Sequence, residues 1–177
     1  MDNSFLRRIK LVDSTTFDLP IQKSEFVHKL REQVEPGGTG MFAPFEAFSS
    51  SEKEFKGQVE YNGFEIRRRK RLFDAKLNFA LVRGTYIQKG DKLEIKADIH
   101  GFRGIMIAFY VFLVIFYTIF ITASSVAASE NDGVGLVFFP IILIHGAFMG
   151  GIPYLFMRRS VKNMKRDLEK EFYFLIR

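Results

Sequence analysis

The chain has 177 residues, a formal charge of +6 and a mean hydropathy of +0.03, enough for one modest domain plus extras. It has no cysteine, which excludes disulfides and thiolate metal sites. The near-zero hydropathy averages two unlike parts, because between Gly104 and Met157 the only charged or histidine residues are Glu130, Asp132 and His145, a membrane composition.

Taken in chain order, a first strand is expected around Ile9–Val12. The segment TFDLPIQKSEFVHKLREQVEPGG reads as an extended lead-in, a helix and a stop. Ser24 is the expected N-cap, Phe26, Val27, Leu30 and Val34 recur at helical spacing, and Pro36-Gly37-Gly38 closes the pattern. The next stretch is rich in Gly and Ser but carries Met41, Phe42, Phe45 and Phe48, too many apolar groups for a plain linker. It is expected to line a surface or bury itself on a membrane.

Strand signals follow in FKGQVEY, FEIRRRKRLF, FALVRGTYIQ and KLEIKADIH, separated by turn residues at Asn62-Gly63 and Lys89-Gly90-Asp91. Asn62-Gly63 fits a two-residue hairpin turn, since both residues tolerate positive φ. Phe55, Gly57 and Val59 would share one face, as would Leu93, Ile95 and Ala97. The expected fold is membrane α+β: a small antiparallel meander or partly closed barrel with one short helix over residues 1–101, then a transmembrane hairpin and an amphipathic tail.

Gly104–Ser129 is a charge-free run of 26 residues. At ~1.5 Å per residue it reaches ~39 Å, more than the ~30 Å core of a bilayer. The expected elements are a span over 104–129, a short loop at 130–133, a second span over 134–157 containing Pro140 and Pro153, and a tail at 158–177. The connector ASENDGV has no Lys or Arg, whereas MRRSVKNMKR follows the second span and Lys92, Lys96 and Arg103 precede the first. That asymmetry predicts an inner-membrane, two-pass chain with both termini in the cytoplasm and a bilayer with anionic headgroups as partner. In the tail, Val161, Met164, Leu168, Phe172 and Leu175 form an apolar stripe that either packs on the sheet domain or between protomers, or lies on the membrane.

Arg67–Arg71 places five positive charges in succession. In a strand Arg67, Arg69 and Arg71 point one way, opposite Phe64, Ile66 and Arg68, and make a basic face. Such a face suits solvent or lipid headgroups, or an anionic ligand such as a nucleotide or lipid phosphate. Nucleic acid is the least favoured reading, because the aromatic interleaving of RNA-binding sheets is missing. His100 is expected as an interfacial residue at the bend into the first span, with Gly101 and Gly104 supplying flexibility, and His28 at the surface. His145 lies inside the second span, where it is expected to bond across to Thr118 or Ser124, and Gly146, Gly150 and Gly151 beside it indicate close helix contact within the hairpin or between protomers. There is no phosphate loop, nucleophile elbow or paired-histidine motif, and the Gly38–Gly40 GTG is not followed by a helix pattern, so neither enzyme chemistry nor a cofactor is expected.

With the strands and spans together, Phe55-x-Gly57, Phe64-x-Ile66, the strand around Gly84 and the Ile99-His100 pair before the apolar run, the chain resembles a family of small uncharacterised bacterial membrane proteins. The resemblance implies a β-rich cytoplasmic domain followed by a C-terminal helical hairpin. The family pattern carries Asn and Pro ahead of the glycine, whereas here Asn78 is shifted toward Gly84 and Ala80 stands at the proline position. The functional expectation is a membrane-anchored, non-enzymatic interaction or scaffold module, with homo-oligomers or a membrane-protein partner. The alternative is a ligand-gated membrane effector that senses an anionic, nucleotide-like ligand through its β domain.

Overall fold

A computed structural model describes residues 3–40, 53–69, 79–102, 104–130 and 138–176. It divides into two compact units: residues 1–102 with 157–177, and residues 103–156.

The first unit opens with helix α1 (Asn3–Arg8), which a six-residue length hid from periodicity. Leu11 N–H bonds Leu6 O and Lys10 N–H bonds Arg7 O, while Lys10 takes φ 59°, so α1 ends in a Schellman turn with lysine at the left-handed position. Leu6 and Leu11, the hydrophobic pair of that motif, are both buried. The turn displaces the first strand: β1 is Val12–Leu19 rather than Ile9–Val12. Helix α2 (Lys23–Gln33) buries Phe26, Val27 and Leu30. Ser24 is not its cap. Gln22 holds the N-cap position without a side-chain bond, and the Lys23 N–H is satisfied by Gln88 Oε1 at 2.8 Å from across the fold.

The remaining strands are β2 (Val34–Pro36), β3 (Phe55–Val59), β4 (Gly63–Arg68), β5 (Leu81–Lys89) and β6 (Lys92–His100). Val34, assigned to the helical stripe by spacing, begins β2 and is still buried. The six strands form one open sheet in the order β1-β6-β5-β4-β3-β2, antiparallel except for the parallel β2–β3 pair. The meander of β3 to β6 is as expected. The alternative of a partly closed barrel is not, because β1 and β2 remain as edges, and the antiparallel description fails at β2.

Two turns differ in detail. At β5–β6, Gly90 takes φ 58° at the first central position of a two-residue turn, a conformation that favours glycine. At β3–β4 the pair Glu60–Gly63 closes the hairpin through Glu60 N–H to Gly63 O, 2.8 Å, so the central residues are Tyr61-Asn62, and neither Asn62 nor Gly63 has positive φ. Gly63 is needed for proximity instead: a Cβ there would lie 2.6 Å from Gly84 O. Gly84 in turn makes room for the Phe64 ring, which would sit 2.1 Å from a Cβ on Gly84.

Phe55, Phe64, Ile66, Val82, Tyr86, Leu93, Ile95, Ala97 and Ile99 turn one face of the sheet into a core. Helix α4 (Phe138–Leu175) belongs to that core along its last five turns, where Val161, Met164, Leu168, Phe172 and Leu175 are buried. Phe172 meets Phe17, Phe26 and Phe64 edge-on at ring-centroid distances of 5.0, 5.3 and 6.1 Å. Ser160 Oγ accepts the N–H groups of Phe79 and Ala80 at 2.7 and 2.8 Å and anchors the entry to β5. The amphipathic tail is therefore part of the sheet domain; its apolar stripe is spent there and is not available to lie on a membrane. Gly101 is packed rather than flexible, since a Cβ would meet Val161 at 2.5 Å and Met157 O at 2.9 Å.

The second unit holds α3 (Gly104–Glu130) and the first half of α4. Both helices are long and apolar enough to cross a membrane, and only 6% of each apolar window is buried. The second apolar stretch and the tail are one continuous helix, with no break at 157.

Candidate functional site

The arginine run falls at the end of β4, and strand alternation divides it. Arg68 shares the core face with Phe64 and Ile66; its guanidinium pairs with Asp167 of α4, and Nη2 lies 3.9 Å from Glu54 Oε2. Arg67 and Arg69 lie on the opposite face, yet only 4% and 3% of their surface is exposed. Arg69 Nε stands 3.2 Å from Glu35 Oε2, and Lys56 Nζ stands 3.6 Å from Glu35 Oε1. Arg67 Nη1 donates to Arg68 O at 3.3 Å, and Arg69 N–H to Glu54 O at 2.9 Å. The open basic face expected of Arg67 and Arg69 is thus an enclosed one, and Arg71 lies outside the described residues. A guanidinium cannot shed its charge, so burial demands counter-charges, and here Glu35 ties the short strand β2 to β4.

Arg68 lies against the carboxylates of Glu54 and Asp167, and the Glu171 carboxyl lies near enough to both to feel their charge. Burial raises the Glu171 carboxyl above its ordinary range, with the negative charges of Glu54 and Asp167 adding to it and Lys170 opposing. Among the described residues no group of carboxylates and histidines could hold a metal ion. A shallow groove of about 400 Å³ opens where β2 stops short of the end of β3, lined by Arg31, Pro36, Gly57 and Val59. Arg31 Nε donates to Val59 O at 3.0 Å and occupies the edge that an added strand would pair with. His100 is half-buried, and that burial lowers its pKa, with the Asp98 carboxylate opposing. His28 is exposed and pairs with Glu32 one turn along α2.

The second cluster lies in the helical unit. Tyr110 and Tyr117, seven residues apart, stand on one side of α3, with Leu113 and Ser124 buried along the same line. Tyr117 Oη is 2.6 Å from His145 Nδ1, and Tyr110 Oη donates to Gly150 O at 2.9 Å, so the two helices run antiparallel here. Gly146 faces the Tyr117 ring, with a Cβ position 3.5 Å from Cζ, whereas no atom lies within 4 Å of a Cβ on Gly150 or Gly151. His145 therefore does bond across the hairpin, but to Tyr117 rather than Thr118 or Ser124. Thr118 Oγ1 instead donates to Val114 O on its own helix at 2.8 Å. The signal that would have found the partner is the seven-residue tyrosine spacing opposite a His-Gly pair, a heptad seam with polar tips.

No family model, curated protein or solved structure matches the chain.

Proposed function

We propose that the chain is a two-pass inner-membrane protein in which the α3–α4 hairpin anchors the sheet domain on the cytoplasmic side as a non-enzymatic interaction module. One observation carries this reading: large apolar side chains stand exposed along both helices, among them Phe112, Val114, Ile119, Leu143, Ile144 and Phe148, each between 59% and 70% exposed and all far beyond what water tolerates as a continuous belt. The charge pattern supports the orientation, with Arg158, Arg159 and Lys162 beyond the second apolar stretch and no Lys or Arg between the two. The sensing of an anionic ligand finds no support in Arg67 and Arg69, which are enclosed against Glu35.

Absence of cysteine makes the test direct. A single cysteine at Asn131 should react with a membrane-impermeant maleimide in intact cells, and one at Asp91 only after lysis. Labelling of Asp91→Cys in intact cells would reverse the orientation, and release of the chain by alkaline carbonate would end the membrane reading.

A further inference from the structure

His145 bonds Tyr117 through Nδ1, which leaves Nε2 without a partner among the described residues, and the side chain is exposed. Its depth makes this costly. Tyr117 is near the centre of the 26-residue run Gly104–Ser129, with roughly 18–20 Å of helix on either side. On the reading that α3 and α4 cross the bilayer, the imidazole stands at mid-depth. There a polar group has no water to bond and is found facing protein or a wet cavity rather than lipid. A neutral imidazole has two tautomers, and the one that accepts the Tyr117 hydroxyl at Nδ1 carries its proton on Nε2 and needs an acceptor.

The chain displays such acceptors on its own surface. Thr118, Thr122 and Ser125 follow at i, i+4 and i+7 on α3 and are exposed. Each hydroxyl proton is used within the helix: Thr118 Oγ1 donates to Val114 O, Thr122 Oγ1 to Thr118 O and Ser125 Oγ to Ile121 O, each at 2.8 Å. The oxygens thus keep lone pairs free for a donor arriving from outside. Thr118 adjoins Tyr117 in sequence, so the stripe starts at the depth of His145.

We propose that a second copy of this chain covers the His145 face, with His145 Nε2–H of each protomer donating to a hydroxyl oxygen of the Thr118–Thr122–Ser125 stripe of the other. Donor and acceptor both belong to one chain, so a symmetric pair satisfies two imidazoles at once, and the match of donor to acceptor at one depth selects a second copy as the occupant. This deepens the membrane-anchor reading and rests on it.

The test uses the full chain carrying a fluorophore, reconstituted in phosphatidylethanolamine/phosphatidylglycerol vesicles, with energy transfer between copies measured against surface density. Self-association is expected in the native chain, and weakened on the order of tenfold by His145→Leu and by Thr118→Val. A cysteine introduced as Phe148→Cys, one turn from His145, should give an oxidative dimer that disappears when His145→Leu is added. Native chain that stays monomeric at every density, or association unchanged by both His145→Leu and Thr118→Val, overturns the proposal. Flotation with the vesicles separates the two readings: a chain that floats but does not associate defeats only the pairing, whereas one that fails to float defeats the membrane anchor itself.

Discussion

Tyr86 is stacked on Phe64 at 5.5 Å and meets Phe26 edge-on at 5.6 Å, yet its buried hydroxyl has no partner among the described residues. Burial raises its pKa, with the positive charge of Arg31 opposing, so it is un-ionised at any ordinary pH. A buried hydroxyl without a bond forfeits its hydration and recovers nothing, whereas the ring keeps all its contacts. Tyr86→Phe is therefore expected to leave stability unchanged or raise it by up to ~1 kcal/mol in urea unfolding of the detergent-solubilised chain. A loss of ~2 kcal/mol would show that the hydroxyl has a partner. At this scale the chain was partly legible. The alternation that put Phe64 and Ile66 inside also sorted Arg67 from Arg68, but a charge run reads as surface, and no local pattern reports that Glu35 waits across the sheet. Asn62-Gly63 misled for a related reason, since glycine serves turns and close backbone approach alike, and only the position of Gly84 O distinguishes them.

Helices α2 and α4 show what periodicity can and cannot carry. Spacing alone identified Phe26, Val27 and Leu30, and the five tail residues from Val161 to Leu175, because a buried stripe must repeat every three or four residues. It was silent on which surface the tail would meet, which depends on Phe17, Phe26 and Phe64 converging on Phe172. It was also silent on the start of α2, whose first amide is held by Gln88 from a distant strand. The polar flank of α4 gives a pH dependence of definite sign. Because the folded state raises the Glu171 pKa, the carboxyl favours the fold when protonated, and that contribution is lost as pH rises from the ordinary carboxylate value through the raised one. Glu171→Gln, which cannot ionise, should raise the thermal midpoint by about 2 °C at pH 7 and leave it unchanged near pH 3.5. An equal shift at both pH values would assign the effect to packing instead.

For the whole molecule, the four-strand meander and two apolar helices were visible because each follows from a local rule, alternation in one case and length without charge in the other. The open, mixed sheet was not. β2 has three residues, ends at Pro36 and pairs parallel to a strand that follows a long connection, a contact with no neighbouring sequence to announce it. Nor does any boundary in composition reveal that residues 157–177 complete the domain begun by residues 1–102. A fragment of residues 1–102 lacks Val161, Met164, Leu168, Phe172 and Leu175 from its core and is expected to be unfolded or aggregated, with few dispersed amide resonances. Adding residues 157–177 as a separate peptide should restore dispersion, and a well-dispersed spectrum from residues 1–102 alone would contradict this account.

That division of one core between two stretches of chain orders events in time. A ribosome adding about 5–20 residues per second finishes the sheet strands, then spends roughly 3–12 s on the apolar helices before Val161 to Leu175 emerge. Throughout that interval the sheet has an uncovered face and stays an unfinished intermediate. The tail can close it only after both apolar stretches have been synthesised. Folding of the domain is thereby tied to completion of the chain: a product cut short before Val161 is left with its strands uncovered and exposed to proteolysis.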